Sequence, residues 1–68
     1  MSTLEDLRIE AGLSVSELAR QSGVSRFTIE KAEQDEPIRG NLAGKICQIL
    51  SEHLRRKVSY KEANIRIL

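Results

Sequence analysis

Residues 25–34 read Ser-Arg-Phe-Thr-Ile-Glu-Lys-Ala-Glu-Gln. Ile29 and Ala32, with Val24 just before them, share one face at helical spacing and turn inward. That leaves Ser25, Arg26, Phe27, Glu30, Lys31 and Gln34 on the opposite face. Arg26 stands in the first turn, where its planar fork matches the O6 and N7 acceptors of guanine. Lys31, about a turn further on, can reach guanine or a phosphate. Phe27 is the odd residue of a polar face: it packs on thymine methyl groups, or against a neighbouring helix or a partner protein. Capping alone explains Ser25, and Gln34 is a weaker candidate. Glu30 repels phosphate, so it balances local charge or accepts from cytosine N4. A solvated charged face is the plain alternative for Arg26 and Lys31.

Other chemistry finds little to work with. His53, the single histidine, sits beside Glu52, and Cys47, the single cysteine, lies one turn from Ala43 and Leu50 as a small core residue. There is no glycine-rich phosphate loop, metal-ligand spacing or paired-carboxylate context. The expectation is a protein that is not an enzyme, with no cofactor, metal or small-molecule ligand. A chain of 68 residues reads as one domain (1–68) with a lean core. No apolar run exceeds two residues, too short for a membrane-spanning helix. The acidic start Met1-Ser2-Thr3-Leu4-Glu5-Asp6 is unlike a signal peptide. One cysteine forms no disulfide framework, which points to a reducing, cytoplasmic setting. The net charge is +1, so any polyanion site must be a local patch; the second half, from residue 34, is the basic one and includes Arg55-Arg56-Lys57.

The elements that position these residues announce themselves by caps. Ser2 with Glu5, Ser14 with Glu17 and Ser59 with Glu62 each fit the S-x-x-E capping box. Leu4, Leu7 and Ala11 stripe a first helix that Gly12 ends. Leu18 and Ala19 face inward on a short second helix that Gly23 ends, and Ser25 caps the third. Asp35, Pro37, Gly40 and Asn41 mark 34–41 as a loop. Asn41 is placed to cap a longer fourth helix carrying Leu42, Ile46, Ile49, Leu50 and Leu54. The third box predicts a short fifth helix near Tyr60, while the alternating tail 63–68 has an extended structure as its alternative. The fold class is all-α, a compact five-helix domain.

Residues 14–33 thus place two short helices around a glycine turn. Positive φ at Gly23 favours glycine, since it costs most other residues about 1–2 kcal/mol, the small Ala19 lets the helices approach, and Leu18, Val24 and Ile29 fill the angle between them. Those are the requirements of a helix-turn-helix. Here the chain resembles the phage repressor/Cro type, or XRE family. The resemblance rests on Leu7-Arg8, Ala11-Gly12-Leu13-Ser14, Glu17-Leu18-Ala19, Ser22-Gly23-Val24-Ser25, Thr28-Ile29, Lys31 and Glu33, and runs from about residue 4 to 54. Ala32 and Ser22 depart from it, since larger or apolar residues are usual there.

The resemblance implies a lambda-repressor-like fold and a sequence-specific regulator of transcription, a repressor that binds a double-stranded DNA operator as a homodimer. The outward face of the third helix would then meet base edges. Arg8 and Glu33 match an ion pair between the first helix and the end of the recognition helix. Arg39 and Asn41 match the loop and helix start that grip the DNA backbone, and the free amides around Ser14 offer a phosphate seat. Asp35 and Glu36 must then point away from DNA. Tyr60, Ile65, Ile67 and Leu68 are hydrophobes near the chain end that suit a dimer contact, unless they tuck back onto the first helix. The rival reading is a protein-interaction module on the same scaffold, such as an antitoxin or anti-repressor, favoured by near-neutral charge and Phe27.

Overall fold

The computed structural model describes residues 3–68, so the expected box at Ser2 lies outside the described residues. Four helices follow one another: α1 (Thr3–Glu10), α2 (Val15–Ser22), α3 (Arg26–Glu33) and α4 (Gly40–Leu54). None is long and apolar enough to cross a membrane.

Local chemistry sets most of the boundaries. After α1, the Leu13 amide donates to the Arg8 carbonyl and the Gly12 amide to that of Ile9, with Gly12 at φ +76°; this is a Schellman stop. The box at the start of α2 is complete: the Glu17 amide donates to Ser14 Oγ and the Ser14 amide to the Glu17 carboxylate, both at 3.0 Å. Gly23 (φ +75°) ends α2, its amide bonded to the Ala19 carbonyl. Three later stops use the same left-handed geometry without glycine, at Asp35, Arg55 and Asn64.

The core runs through every element. Leu4, Leu18, Ile29, Ile46 and Leu50 are its largest fully buried members, and Cys47 is buried in the same core, where desolvation raises its thiol pKa to about 11. The thiol therefore stays protonated and packs as a small hydrophobe.

The fifth helix does not form. Residues 60–64 make a single turn, because only half of the third capping box is present. The Glu62 amide donates to Ser59 Oγ, but the Glu62 carboxylate pairs with Arg56 instead of returning to Ser59. Asn64, at φ +59°, then closes the turn. The chain continues extended, and Ile67 forms a parallel bridge with Ile38 of the α3–α4 loop. There the Ile38 amide donates to the Arg66 carbonyl and the Leu68 amide to the Ile38 carbonyl, both at 2.9 Å. The tail thus docks on this loop, and Asn64 before it borders a cavity with Thr3 and Glu5 of α1.

That docking moves two expectations. Ile65, 5% exposed, is a core residue and not a dimer contact, buried along with Ala63 of the preceding turn. Asn41 does not cap α4: Arg39 is its N-cap, without a side-chain bond. The helix starts two residues earlier than an Asn41 cap would place it, at Gly40, which lies near Ile67.

The capping box makes a pH prediction. Its hydrogen bonds with Ser14 hold the Glu17 carboxyl below its usual pKa. A lowered folded-state pKa contributes stability that is present above the unfolded-state value and lost as pH falls through the folded one. Glu17→Gln is therefore expected to destabilise the protein at neutral pH and to flatten the acid side of its stability profile, read by thermal unfolding from pH 7 down to pH 3. An unchanged acid limb would remove the box from the groups that set it.

Candidate nucleic-acid interface

α3 is held from behind and open in front. Behind it, Ile29 and Ala32 are buried. Arg8 of α1 donates from Nε to Glu33 Oε2 at 2.7 Å, from Nη2 to Oε1 at 3.4 Å, and from Nη1 to the Leu13 carbonyl at 3.0 Å. The two side chains retain only 13% and 12% exposure. The hydrogen bond with Glu33 raises the Arg8 pKa further above its usual value, so the guanidinium keeps its charge wherever the protein is folded. One side chain thereby fastens the last turn of α3 and the loop before α2 to the same helix.

The α2–α3 turn carries a support that the sequence pattern conceals. Ser22, half-buried where the resemblance favours an apolar residue, donates from Oγ to the Leu18 carbonyl at 2.6 Å and accepts from the Val24 amide at 3.2 Å. Its hydroxyl bridges the helix end and the turn, replacing apolar filling with two hydrogen bonds. Ser51 does the same after α4, donating to the Cys47 carbonyl and accepting from the Val58 amide. Neither role has a sequence signature, because the partners in both cases are backbone groups. His53 Nε2 and Gln21 Oε1, 2.7 Å apart, join α4 to α2.

In front, Ser25, Arg26, Phe27, Glu30 and Gln34 are exposed and Lys31 is half-exposed, the face the spacing predicts. Ser25 is committed to capping: its Oγ accepts from the Thr28 amide at 3.1 Å and donates to Thr28 Oγ1 at 2.9 Å. Arg26 opens α3, whose first turn contains no acid, whereas α1 has Glu5 and Asp6 there and α2 has Glu17. A cation at the positive end of a helix is locally unfavourable, by about 0.3–1 kcal/mol.

Phe27, Lys31 and Gln34 come together around one shallow cleft with Glu30 and Glu36. Phe27 and Lys31 border a second with Arg39, Leu42 and Leu68. The fold thus brings Arg39 beside the outward face of α3. It also brings Glu36 there, against the expectation that this acid points away. Asn41 is exposed in the first turn of α4, where the leading amides of a helix lack intrahelical partners. Ser14 is exposed at the head of α2, but the Glu17 carboxylate already occupies its amide, so that phosphate seat is narrower than its cap alone suggests.

With two short helices around a left-handed glycine and a pinned second helix in place, residues 3–55 match a family model, the Cro/C1-type HTH DNA-binding domain. The chain belongs to this family. The helix-turn-helix of this DNA-binding domain is α2–Gly23–α3. No curated protein and no solved structure matches the chain significantly. Within the Cro/C1-type frame, the parallel bridge between tail and α3–α4 loop is the feature that motif spacing left out. Its one signal in the sequence is the alternation of residues 63–68.

Proposed function

We propose that this Cro/C1-type domain is a sequence-specific regulator of transcription that lays α3 in the major groove and acts by occupying its operator, in the manner of a repressor. The observation that carries the reading is the exposed Arg26 at the amino end of a helix pinned by the Arg8–Glu33 pair. A cation in the wrong place for the helix is in the right place for a polyanion, and a fixed helix can aim it at a base. Arg26 and Lys31 are the base readers, with Gln34 beside them. Arg39, Asn41 and the narrowed head of α2 at Ser14 are positioning contacts to phosphates, which fix register without reading sequence. Nothing in this mechanism calls for catalysis or a cofactor.

The domain measures 27 × 23 × 22 Å, while successive half-sites on one DNA face are about 34 Å apart. One copy cannot read both, so the operator is an inverted repeat bound by two. Leu68 (75% exposed), Tyr60 (43%) and Ile67 (39%) are the dimer contact in this reading. Leu68→Asp is expected to lower the dimer fraction in sedimentation and to weaken operator binding while leaving thermal stability unchanged. A variant that dimerises as before would move the contact elsewhere.

Selection from random duplexes tests the whole reading: an enriched inverted repeat is the expected product. The exposed Phe27 and Leu68 favour the rival, a protein-interaction module such as an antitoxin or anti-repressor, and salt separates the two. Binding that neutralises several phosphates weakens steeply with salt, whereas a Phe-centred protein contact barely responds.

A further inference from the structure

Phe27 is the one residue of the recognition face with no charge and no hydrogen-bonding group to offer. Its ring is 71% exposed, although Phe is among the residues most often buried. It edges both shallow clefts on this face and fills neither. The small hydroxyls next to it are taken up within the helix, since Ser25 Oγ donates to Thr28 Oγ1 at 2.9 Å. The ring itself is an exposed hydrocarbon surface, with Glu30 and Lys31 beside it in one cleft and Leu42 and Leu68 in the other.

The major groove offers such a surface little. Guanine, adenine and cytosine present donors and acceptors along their edges, and the apolar group on the groove wall is the C5 methyl of thymine. A methyl on C5 of cytosine occupies the same place. A phenyl ring has no means of sensing whether the neighbouring exocyclic group is the O4 acceptor of thymine or the N4 donor of cytosine.

We propose that Phe27 reads a pyrimidine C5-methyl group, so that thymine and 5-methylcytosine are equivalent at its position while uracil and unmethylated cytosine are both rejected. This rests on the placement of α3 in the major groove. Because Arg26 precedes Phe27 in the first turn, the methylated pyrimidine is within a step of the guanine that Arg26 takes. Cytosine methylation of a matching site would then create a binding site out of a non-site.

The test uses the full chain and the duplex obtained by selection. Each thymine of the half-site is replaced in turn by uracil, in both half-sites together. The sensitive position is then rebuilt as a C·G pair with and without the 5-methyl group, and affinity is read by fluorescence anisotropy. Removing one buried methyl group is worth about fourfold per half-site, and the two half-sites together amount to about tenfold or more. The expected order is thymine equal to 5-methylcytosine within about twofold, with uracil and cytosine both weaker. Phe27→Ala is expected to bind the thymine and uracil duplexes equally, and Phe27→Leu to keep the preference in reduced form. Equal binding of thymine and uracil duplexes by the unaltered protein overturns the proposal, as does 5-methylcytosine behaving like cytosine or a Phe27→Ala variant that still discriminates. In each of those cases an operator lost on Arg26→Ala leaves the major-groove reading standing. No enriched duplex at all overturns that reading, and this proposal with it.

Discussion

Glu33→Ala is expected to lower the thermal midpoint of the free protein by about 15 °C, equivalent to about 3 kcal/mol in a domain of this size. The magnitude follows from geometry. Glu33 receives two hydrogen bonds from Arg8, at 2.7 and 3.4 Å, and both side chains are roughly seven-eighths hidden from water. Removing the carboxylate leaves the guanidinium with the Leu13 carbonyl as its remaining partner in this network, and an uncompensated cation that is mostly buried is costly. Arg8→Lys is expected to recover little, because a single ammonium cannot span the carboxylate and the Leu13 carbonyl together. Arg8→Met combined with Glu33→Leu is expected to recover much of the loss, since apolar replacement of both partners removes the desolvation cost along with the attraction. Circular dichroism melts of the parent and these variants check this. Single substitutions costing under about 1 kcal/mol would place the pair with ordinary surface pairs. A small domain has only a few kcal/mol in hand, so this one contact decides how much of the chain is folded and how firmly α3 is aimed.

The legible parts of the fold are those written in local chemistry. Ser14 and Glu17 define the start of α2, and Gly12 and Gly23 define two stops, because a cap or a positive φ involves residues within a turn of each other. The outward face of α3 follows from Ile29 and Ala32 in the same way. The Arg8–Glu33 pair is different: its members are 25 residues apart, and no spacing rule joins them, so only the family resemblance can propose it.

The errors occur where a distant partner outcompetes a local one. Ser59 and Glu62 carry the same signal as Ser14 and Glu17, yet Arg56 captures the Glu62 carboxylate and the Ile38 backbone captures the tail. The fifth helix is lost to those two interactions. Asn41 is displaced as a cap because the helix starts upstream of it, with Arg39 as the N-cap and no side-chain bond there to mark the boundary. Ile65 misleads by type alone: an apolar residue near a chain end suggests a free surface. The chain is extended only from Ile65, which is buried while Arg66 is exposed, and Ala63 is buried from within the preceding turn. Ser22 shows the opposite limit. It is a departure from the family pattern that costs apolar filling, and its two backbone hydrogen bonds are visible only once the turn is folded.

Arg26→Ala with Lys31→Ala is expected to lower affinity for the selected duplex by about 30-fold or more and to abolish its preference over random DNA, because each good base contact contributes about 1–3 kcal/mol of discrimination. Neither side chain supports the fold: Arg26 is exposed, Lys31 half-exposed, and the ion pair and core that hold α3 lie on its other face. The thermal midpoint is therefore expected to stay within a few degrees of the parent, or to rise slightly as Arg26 leaves the positive end of the helix. Arg39→Ala supplies the contrast. If Arg39 holds a phosphate as proposed, its removal is expected to weaken binding to all sequences alike and to reduce the salt slope by about one, leaving preference intact. Arg26→Lys separates fork from charge: it is expected to retain non-specific affinity and lose selectivity at a single base pair, since an ammonium cannot take guanine O6 and N7 together. If the double variant keeps the parent's preference, α3 is not the reader and the exposed apolar surface from Phe27 to Leu68 becomes the face to test for a protein partner. If the double and Arg39 variants lose affinity equally and neither loses preference, the domain holds DNA through its backbone alone, and specificity must come from what the second copy brings.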